Sequence, residues 1–280
     1  MSSAGSRLAL ALGGRLEPRP RVQRAGRALW SRVVPPLLFG AALIGLWELY
    51  VAVSGVGETT LPSPVAVADA LARDRGTLLS GAGTTLAEIA LGFSLAIAVG
   101  VALAVLVSSS RVAERAVYPW LVVSQMVPIP ALAPIVVLWT GFDIRPKLIV
   151  IALVTFFPIA VNTIDGLRAT DGELVGLLRT LGAGRWEVFR IARLPAALPY
   201  VFSGLRVGAA FAVIGAVFAE WTGATGGLGI LILEYDNQTA TPDVFAVVVV
   251  LAVIGVALFA LVGLVERLVV PWWRTEGGGP

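Results

Sequence analysis

Apolar positions along this chain gather into long runs separated by short polar breaks. A helix that crosses the hydrocarbon core of a bilayer needs about 20 mostly apolar residues. Six runs approach or reach that length: 36–53, 84–107, 117–138, 148–165, 200–221 and 244–265. The pattern predicts an all-α, polytopic membrane protein with six transmembrane helices. The third run carries Pro119, Pro128, Pro130 and Pro134, and each proline removes a backbone donor and opposes a straight helix. That span is expected to be kinked or broken. Irregular backbone is tolerated at membrane depth only where protein or a watery cavity satisfies its polar groups. The third span is therefore expected to line a pathway, with Gln125 and Met126 as its candidate residues.

Arginine placement between the runs predicts an orientation. One set of flanks holds Arg7, Arg15, Arg19, Arg21, Arg24, Arg27 and Arg32, then Arg111 and Arg115, then Arg168, Arg179, Arg185, Arg190 and Arg193, and finally Arg267 and Arg274. The opposite set holds Arg73, Arg75, Arg145 and Lys147. Basic residues accumulate on the cytoplasmic side of membrane proteins, so both termini and the loop 166–199 are expected inside. The loop 222–243, with Glu234 and Asp236 and no basic residue, is expected outside. Residues 1–34 read as a disordered basic cytoplasmic tail, 35–270 as the six-span domain and 271–280 as a C-terminal cytoplasmic tail. The apolar stretch 8–12 is too short for a signal-peptide core.

Composition agrees with a lipid-facing surface. Hydrophobic residues make up 57% of the chain and charged residues 14%, against about 25% charged in soluble domains. The net charge is +3, and Lys147 is the sole lysine. The arginines flank apolar runs rather than forming a basic domain, so they read as orientation signals and not as a nucleic-acid surface. Cysteine and histidine are absent. That removes disulfides, thiolate chemistry, His-based triads and most zinc and haem sites. No metal site and no cofactor is expected.

The longest break between runs is internally patterned. Thr170 with Glu173 has the spacing of a capping box and predicts a helix start. Leu174, Leu177, Leu178 and Leu181 then share one helical face. Gly182-Ala183-Gly184 ends that helix, and a second short helix follows with Trp186, Phe189 and Arg190, closed by Pro195 and Pro199 before the fifth span. A surface of this kind, apolar and arginine-bearing together, could rest on the membrane interface or dock a partner.

Arg179-Thr180-Leu181-Gly182-Ala183, then Val188-Phe189-Arg190 and Leu194-Pro195-Ala196-Ala197-Leu198-Pro199, resembles the EAA loop of binding-protein-dependent ABC importer permeases. The resemblance implies a coupling surface made by Leu178, Arg179, Thr180, Leu181, Gly182, Ala183, Gly184, Trp186, Leu194 and Pro195, fitted into a groove of a separate ATPase subunit. The family's Glu-Ala-Ala falls on Gly176-Leu177-Leu178, so its Glu is missing here, and a later Ile falls on Ala192. The resemblance runs from about Leu37 to Trp273. Leu61-Pro62-Ser63-Pro64, the stretch 128–139 and Gly226-Gly227-Leu228-Gly229 are similar to the nitrate, sulfonate and taurine branch. Thr155-Phe156-Phe157-Pro158, the run Val161 to Arg168 and Ala219-Glu220-Trp221 look most like permeases for pyrimidine precursors of thiamine, with riboflavin importers alike too. Implied partners are two ATP-binding cassette subunits, an extracytoplasmic substrate-binding protein and a second permease copy, all at a bacterial plasma membrane.

The chain has no Gly-x-x-x-x-Gly-Lys-Ser/Thr loop to cradle phosphates, so it is not expected to be an enzyme that hydrolyses ATP itself. The glycine-rich stretch 223–229 reads as a mobile external loop. Polar residues in or near spans are candidates for a substrate pathway because unpaired ones are expensive in lipid: Gln125, Met126, Asn162, Glu220 and Trp221. Glu220 reads either as a polar gate residue or as an interfacial carboxylate reaching water. Glu48, Glu88 and Glu266 are expected to be solvated at span ends, and Arg206 to snorkel to the inner surface. An ion-coupled secondary transporter is the alternative class, but no internal repeat and no mid-span carboxylate is evident. A membrane enzyme would lack catalytic groups.

Overall fold

The computed structural model describes residues 21–223 and 225–274. Contacts divide the chain into two compact units, Met1–Gly55 and Val56–Pro280. In the first, one helix α1 runs Arg21–Ser54, and its Val34–Ser54 portion is long and apolar enough to cross a membrane. The helix thus starts at Arg21 rather than near Pro36, so residues 21–34 of the expected disordered tail are helical; residues 1–20 lie outside the described residues. Leu37, Leu38, Phe39 and Ile44 are exposed along α1, as suits lipid.

The second unit contains α2 (Pro64–Arg73), α3 (Arg75–Ser109), α4 (Arg111–Ser124), α5 (Ile129–Thr140) and α6 (Ile144–Arg168). After these come α7 (Gly172–Thr180), α8 (Arg185–Val188), α9 (Leu194–Trp221), α10 (Leu228–Asn237) and α11 (Thr241–Val269). A π turn, Phe189–Arg193, joins α8 to α9, so that Arg185–Trp221 is one 37-residue helical rod. Helices α3, α6, α11 and this rod meet the length and apolarity of membrane spans.

The broken third span is where the prolines predicted it. Helices α4 and α5 meet at a 100° bend, with Pro128 as the extended N-cap residue of α5 and Pro130 in its first turn. A proline pushes the residue before it out of helical backbone, so the pair Val127-Pro128 ends any continuous helix. The pair α4 and α5 must still cross once. Lys147 meets Glu88 at 2.5 Å, Gly92 faces Ile151, and Gly100 faces Phe156 and Ile159, so α3 and α6 run parallel. The chain leaves α3 at one end and enters α6 at the other, and only residues 110–143 can make the return.

Packing at the centre rests on small residues. In lipid no hydrophobic force draws helices together, and close van der Waals approach through Gly and Ala substitutes for it. Gly92, Ala96, Gly100 and Ala104 of α3 recur every fourth residue and are all buried. Gly204, Gly208, Ala212, Gly215 and Ala219 recur at three- or four-residue spacing on α9 and are buried too. A β-carbon on Gly204 would sit 2.7 Å from the Pro158 carbonyl oxygen, and one on Gly166 would sit 2.7 Å from Tyr200 Cβ. Helices α6 and α9 therefore lie backbone to backbone, antiparallel, over their length.

Ion pairs correct three expectations. Glu88 is buried rather than solvated, with Lys147 as its partner in the same layer. Neither sits in a loop, because Lys147 belongs to the first turn of α6 and its side chain is largely covered. Breaking such a pair by removing one partner costs about 3–5 kcal/mol. Arg206 pairs with Glu266 of α11 and lies over the Phe259 ring at 5.7 Å, so both charges are neutralised between helices. On the other face, Arg73 of α2 pairs with Asp243 of α11 at 2.5 Å, and the hydrogen bond and charge of Asp243 raise the Arg73 guanidinium above its ordinary value. Burial, together with the Asp74 carboxylate that its hydroxyl reaches at 3.3 Å, raises the Tyr235 phenol likewise.

The α6–α9 contact yields a test. Gly204→Val should lower stability by about 2 kcal/mol or more, the usual penalty for overpacking a tight contact being about 1–3 kcal/mol. Tryptophan-fluorescence melting of the purified chain reads this, and an unchanged midpoint would be incompatible with the backbone approach described.

Candidate functional site: the interhelical loop and the span ends

The loop between the fourth and fifth spans folds as two arms. The first arm, α7, begins one residue later than the Thr170–Glu173 spacing predicted. Asp171 is the N-cap, and its Oδ1 accepts the Glu173 N–H at 2.8 Å. The Thr170 hydroxyl instead donates to the Leu167 carbonyl. The helix ends in a Schellman arrangement: Ala183 N–H donates to the Leu178 carbonyl at 2.9 Å and Gly182 N–H to the Arg179 carbonyl at 3.0 Å. Gly182 has φ +89°, a region that residues with a β-carbon enter only at a cost. In the turn that follows, Gly184 N–H donates to Glu187 at 2.7 Å and starts α8.

The two arms differ in burial. No residue of α7 is buried. Leu177 is 57% exposed, Leu181 76% and Trp186 69%, with Leu174 also exposed. Leu178 and Ala183 are half-buried, while Arg179, Thr180, Gly182 and Gly184 are exposed. The Trp186 ring stacks on Phe189 at 5.5 Å. The second arm is held: Val188, Ala192 and Ala197 are buried, Pro195 is half-buried and Leu194 remains exposed. Because α8, the π turn and α9 are one rod, a push on Trp186 is a push on the fifth span. All of the sequence-predicted coupling residues lie on this loop or its junction with α9.

The predicted pathway residues are scattered. Gln125 and Met126 lie together at the α4–α5 break, Met126 74% exposed. Asn162 Nδ2 donates to the Pro158 carbonyl at 2.7 Å, at the tight contact with Gly204. Glu220 is fully buried, neither gate-exposed nor reaching water within this chain. Its carboxylate accepts from the Thr85 hydroxyl at 2.7 Å and from the Gly229 N–H, while Thr85 Oγ1 accepts the Leu228 N–H at 2.9 Å. Trp221 Nε1 donates to the Gly229 carbonyl at 3.0 Å.

This arrangement corrects the reading of the glycine-rich stretch as a mobile loop at residues 227–229. Gly227, Leu228 and Gly229 are buried. Gly227 has φ +120°, and the space of its missing β-carbon is filled by the Glu220 carboxyl group. Residues 227–229 are held to Thr85 of α3 and to Glu220 of α9. Beside it, sequence reasoning missed a cleft of about 510 Å³ formed by α9 and α11, lined by Phe218, Trp221 and Leu251. A second cleft of about 480 Å³ carries Thr77, Ser80, Thr84 and Glu234. Its signal was present, since those hydroxyls recur at three- and four-residue spacing on one helical face.

A membrane bundle with a broken span and an exposed two-armed loop has the make-up of a transport permease. Residues 96–275 match the family described as the binding-protein-dependent transport system inner membrane component, and the chain belongs to that family. It is 38% identical over 246 residues to the formylaminopyrimidine transport permease protein ThiX of Halalkalibacterium halodurans, covering 88% of this chain and 98% of that one. It is 36% identical to the riboflavin transport system permease protein RibX of Chloroflexus aurantiacus, covering 90% and 95%. To the putative aliphatic sulfonates transport permease protein SsuC of Bacillus subtilis it is 32% identical, covering 86% and 88%. The crystal structure of an amino acid ABC transporter superposes with a TM-score of 0.59 at 16% identity, covering 71% of this chain and 97% of that one, and supports the fold. The chain is thus a permease subunit of an ATP-driven importer, a multi-pass inner-membrane protein.

The pin at Glu220 is testable. Glu220→Ala leaves the Thr85 hydroxyl and the Gly229 N–H without their acceptor, at about 1–3 kcal/mol for each buried unpaired group. Stability should fall by about 2–6 kcal/mol on that basis, with Glu220→Gln milder because one oxygen remains. Limited proteolysis within 223–229 should accelerate in the Ala variant. Unchanged cleavage and melting would show that the carboxylate does not hold the loop.

Proposed function

We propose that two copies of this chain form the translocation pathway, and that two ATP-hydrolysing subunits drive them through the loop 166–199. The observation that carries this reading is the unburied apolar face of Leu174, Leu177 and Leu181 on α7, joined by the Gly182–Gly184 turn to Trp186, which stands on the arm continuous with the fifth span. Apolar surface of that kind, rimmed by polar residues, marks an interaction site. A partner that grips α7 and Trp186 would tilt α9. The chain has no phosphate-binding loop of its own, so a separate subunit supplies the hydrolysis.

The arginine asymmetry supports an orientation with this loop and both termini in the cytoplasm, and with α10 and the Glu220 pin outside, where a substrate-binding protein delivers its cargo. The pathway runs along the α4–α5 break at Gln125 and Met126. Asn162 and Glu220 are committed to packing and serve it indirectly. The cargo is proposed to be a pyrimidine precursor of thiamine, supported by the 38% relative named for formylaminopyrimidine. A riboflavin-type or sulfonate-type cargo is the second reading, supported by the next relatives. The ligand that thermally stabilises the cognate binding protein decides between them.

The coupling reading is tested with Gly182→Asp in the reconstituted importer. The space around Gly182 is open within this chain, and a strained left-handed residue costs about 1–2 kcal/mol, so the permease should still fold. A carboxylate at the docking turn should cut substrate-driven uptake by about tenfold or more, the equivalent of about 1.4 kcal/mol of lost docking, while basal ATP hydrolysis persists. Full uptake by this variant would remove the loop from the coupling path.

A further inference from the structure

The loop and the ends of three spans enclose a second feature that coupling does not account for. A cavity of about 710 Å³ lies between the α3–α4 junction, the end of α6 and the second arm. Arg111, Arg179, Arg185 and Arg193 all line it. None of the four forms an ion pair among the described residues. The one carboxylate in the lining, Glu114, is already held by Arg168 at 2.6 Å. Two of these arginines are also placed against the helix dipole. Arg111 is the first residue of α4 and Arg185 the first of the 37-residue rod, where a cation is disfavoured and an anion stabilised. Ser108 lines the same cavity, and its hydroxyl is buried without a hydrogen-bond partner.

We propose that this cavity binds a phosphate-bearing anion, held by Arg111, Arg179, Arg185 and Arg193 with the Ser108 hydroxyl as a further donor. Guanidinium groups match phosphate oxygens in pairs, and four of them with no counter-charge need one. The remaining lining is apolar, with Val105, Leu167 and Phe189, and exposed Leu106 and Val112 lie beside it in the chain. That combination suits the head and upper chain of an anionic phospholipid. The cytoplasmic leaflet, to which the orientation proposed above assigns this end, is where such lipids concentrate. Free phosphate offers the same chemistry without the chain. Occupancy would brace the second arm against α3 and α4, and so would set how stiffly the loop is joined to the spans.

The test uses the full chain in neutral detergent, with phosphatidylglycerol, phosphatidylcholine and inorganic phosphate as probes. Native mass spectrometry should show phosphatidylglycerol retained in preference to phosphatidylcholine. Arg111→Gln with Arg193→Gln should weaken that retention about tenfold or more, at about a fivefold loss per basic residue. The corresponding double Lys variant should keep most of it. Excess inorganic phosphate that displaces the lipid assigns the site to the free anion, and failure to displace it assigns the site to the lipid headgroup. Equal retention of the two lipids, or of phosphatidylglycerol by wild type and Gln variant, would overturn the proposal. A readout on the unmutated chain guards against misfolding: phosphatidylglycerol or phosphate should protect the arginines from a guanidine-modifying reagent. Protection by a bound ATPase subunit alone would mean that the cavity receives an acidic protein surface, and the proposal would fail.

Discussion

The close approach of α6 to α9 is the constraint on which the rest of this structure depends. Two helices in lipid gain nothing by hiding apolar side chains from each other, because the surrounding chains are as apolar as they are. What holds them is contact distance, and that is set by Gly166, Gly204, Gly208 and Gly215, whose missing β-carbons let backbone meet backbone. The same device on α3, at Gly92 and Gly100, brings a third span against α6. These three helices have little room to rotate independently. Motion imposed on one is therefore carried by all three, and a loop joined to this core by a continuous rod becomes a means of moving it.

The two ends of that rod are held in different ways, and the difference is chemical. At one end, Glu220 gathers Thr85 and Gly229 into a buried hydrogen-bonded knot, in a region where an unpaired polar group would be costly. At the other end the rod carries a loop whose first arm buries nothing. The rod has 37 residues, about 55 Å at 1.5 Å per residue, so it reaches well past a hydrocarbon core of about 30 Å. Its free end is long enough to stand clear of the bilayer while its other end stays anchored among α3 and α10. The Glu88–Lys147 pair sits at the first turn of α6, whereas Arg206 stands in the middle of α9 and reaches Glu266 near the end of α11.

Much of this was legible in the sequence, for identifiable reasons. Span count followed from run length, and the break in the third span from Pro128, because both effects are local to the chain. The two-armed loop was legible through Gly182-Ala183-Gly184 and the leucine spacing, although Asp171 rather than Thr170 makes the cap; adjacent capping residues compete, and the side-chain geometry decides. The roles of Glu88, Glu220 and Arg206 were not legible. Each is decided by a partner distant in sequence, namely Lys147, Thr85 with Gly229, and Glu266. A single carboxylate near a span end reads as solvated until its partner is known. Residues 227–229 misled for a related reason: glycine there signals a close approach to Glu220 and not freedom. The stripes of Gly and Ala at three- or four-residue spacing on α3 and α9 were present all along, and their period is the signal that would have located the core.

The missing glutamate of the family loop gains a physical meaning from the charges around it. Gly176 stands where that carboxylate would be, on an arm whose cation Arg179 forms no ion pair among the described residues. Across the turn, Arg185 and Arg193 are likewise uncompensated, so this end of the protein presents positive charge with no acidic residue on the docking helix beyond its first turn. A partner surface built to receive a carboxylate at that place would meet none, and its attraction must instead come from apolar contact with Leu177, Leu181 and Trp186. Charge at this junction is then left for whatever anion fills the arginine-lined cavity. Docking by apolar contact and stiffness set by a bound anion share Arg179, Arg185 and Trp186, but they separate at Arg111 and Arg193, which line the cavity and lie outside the docking face of α7.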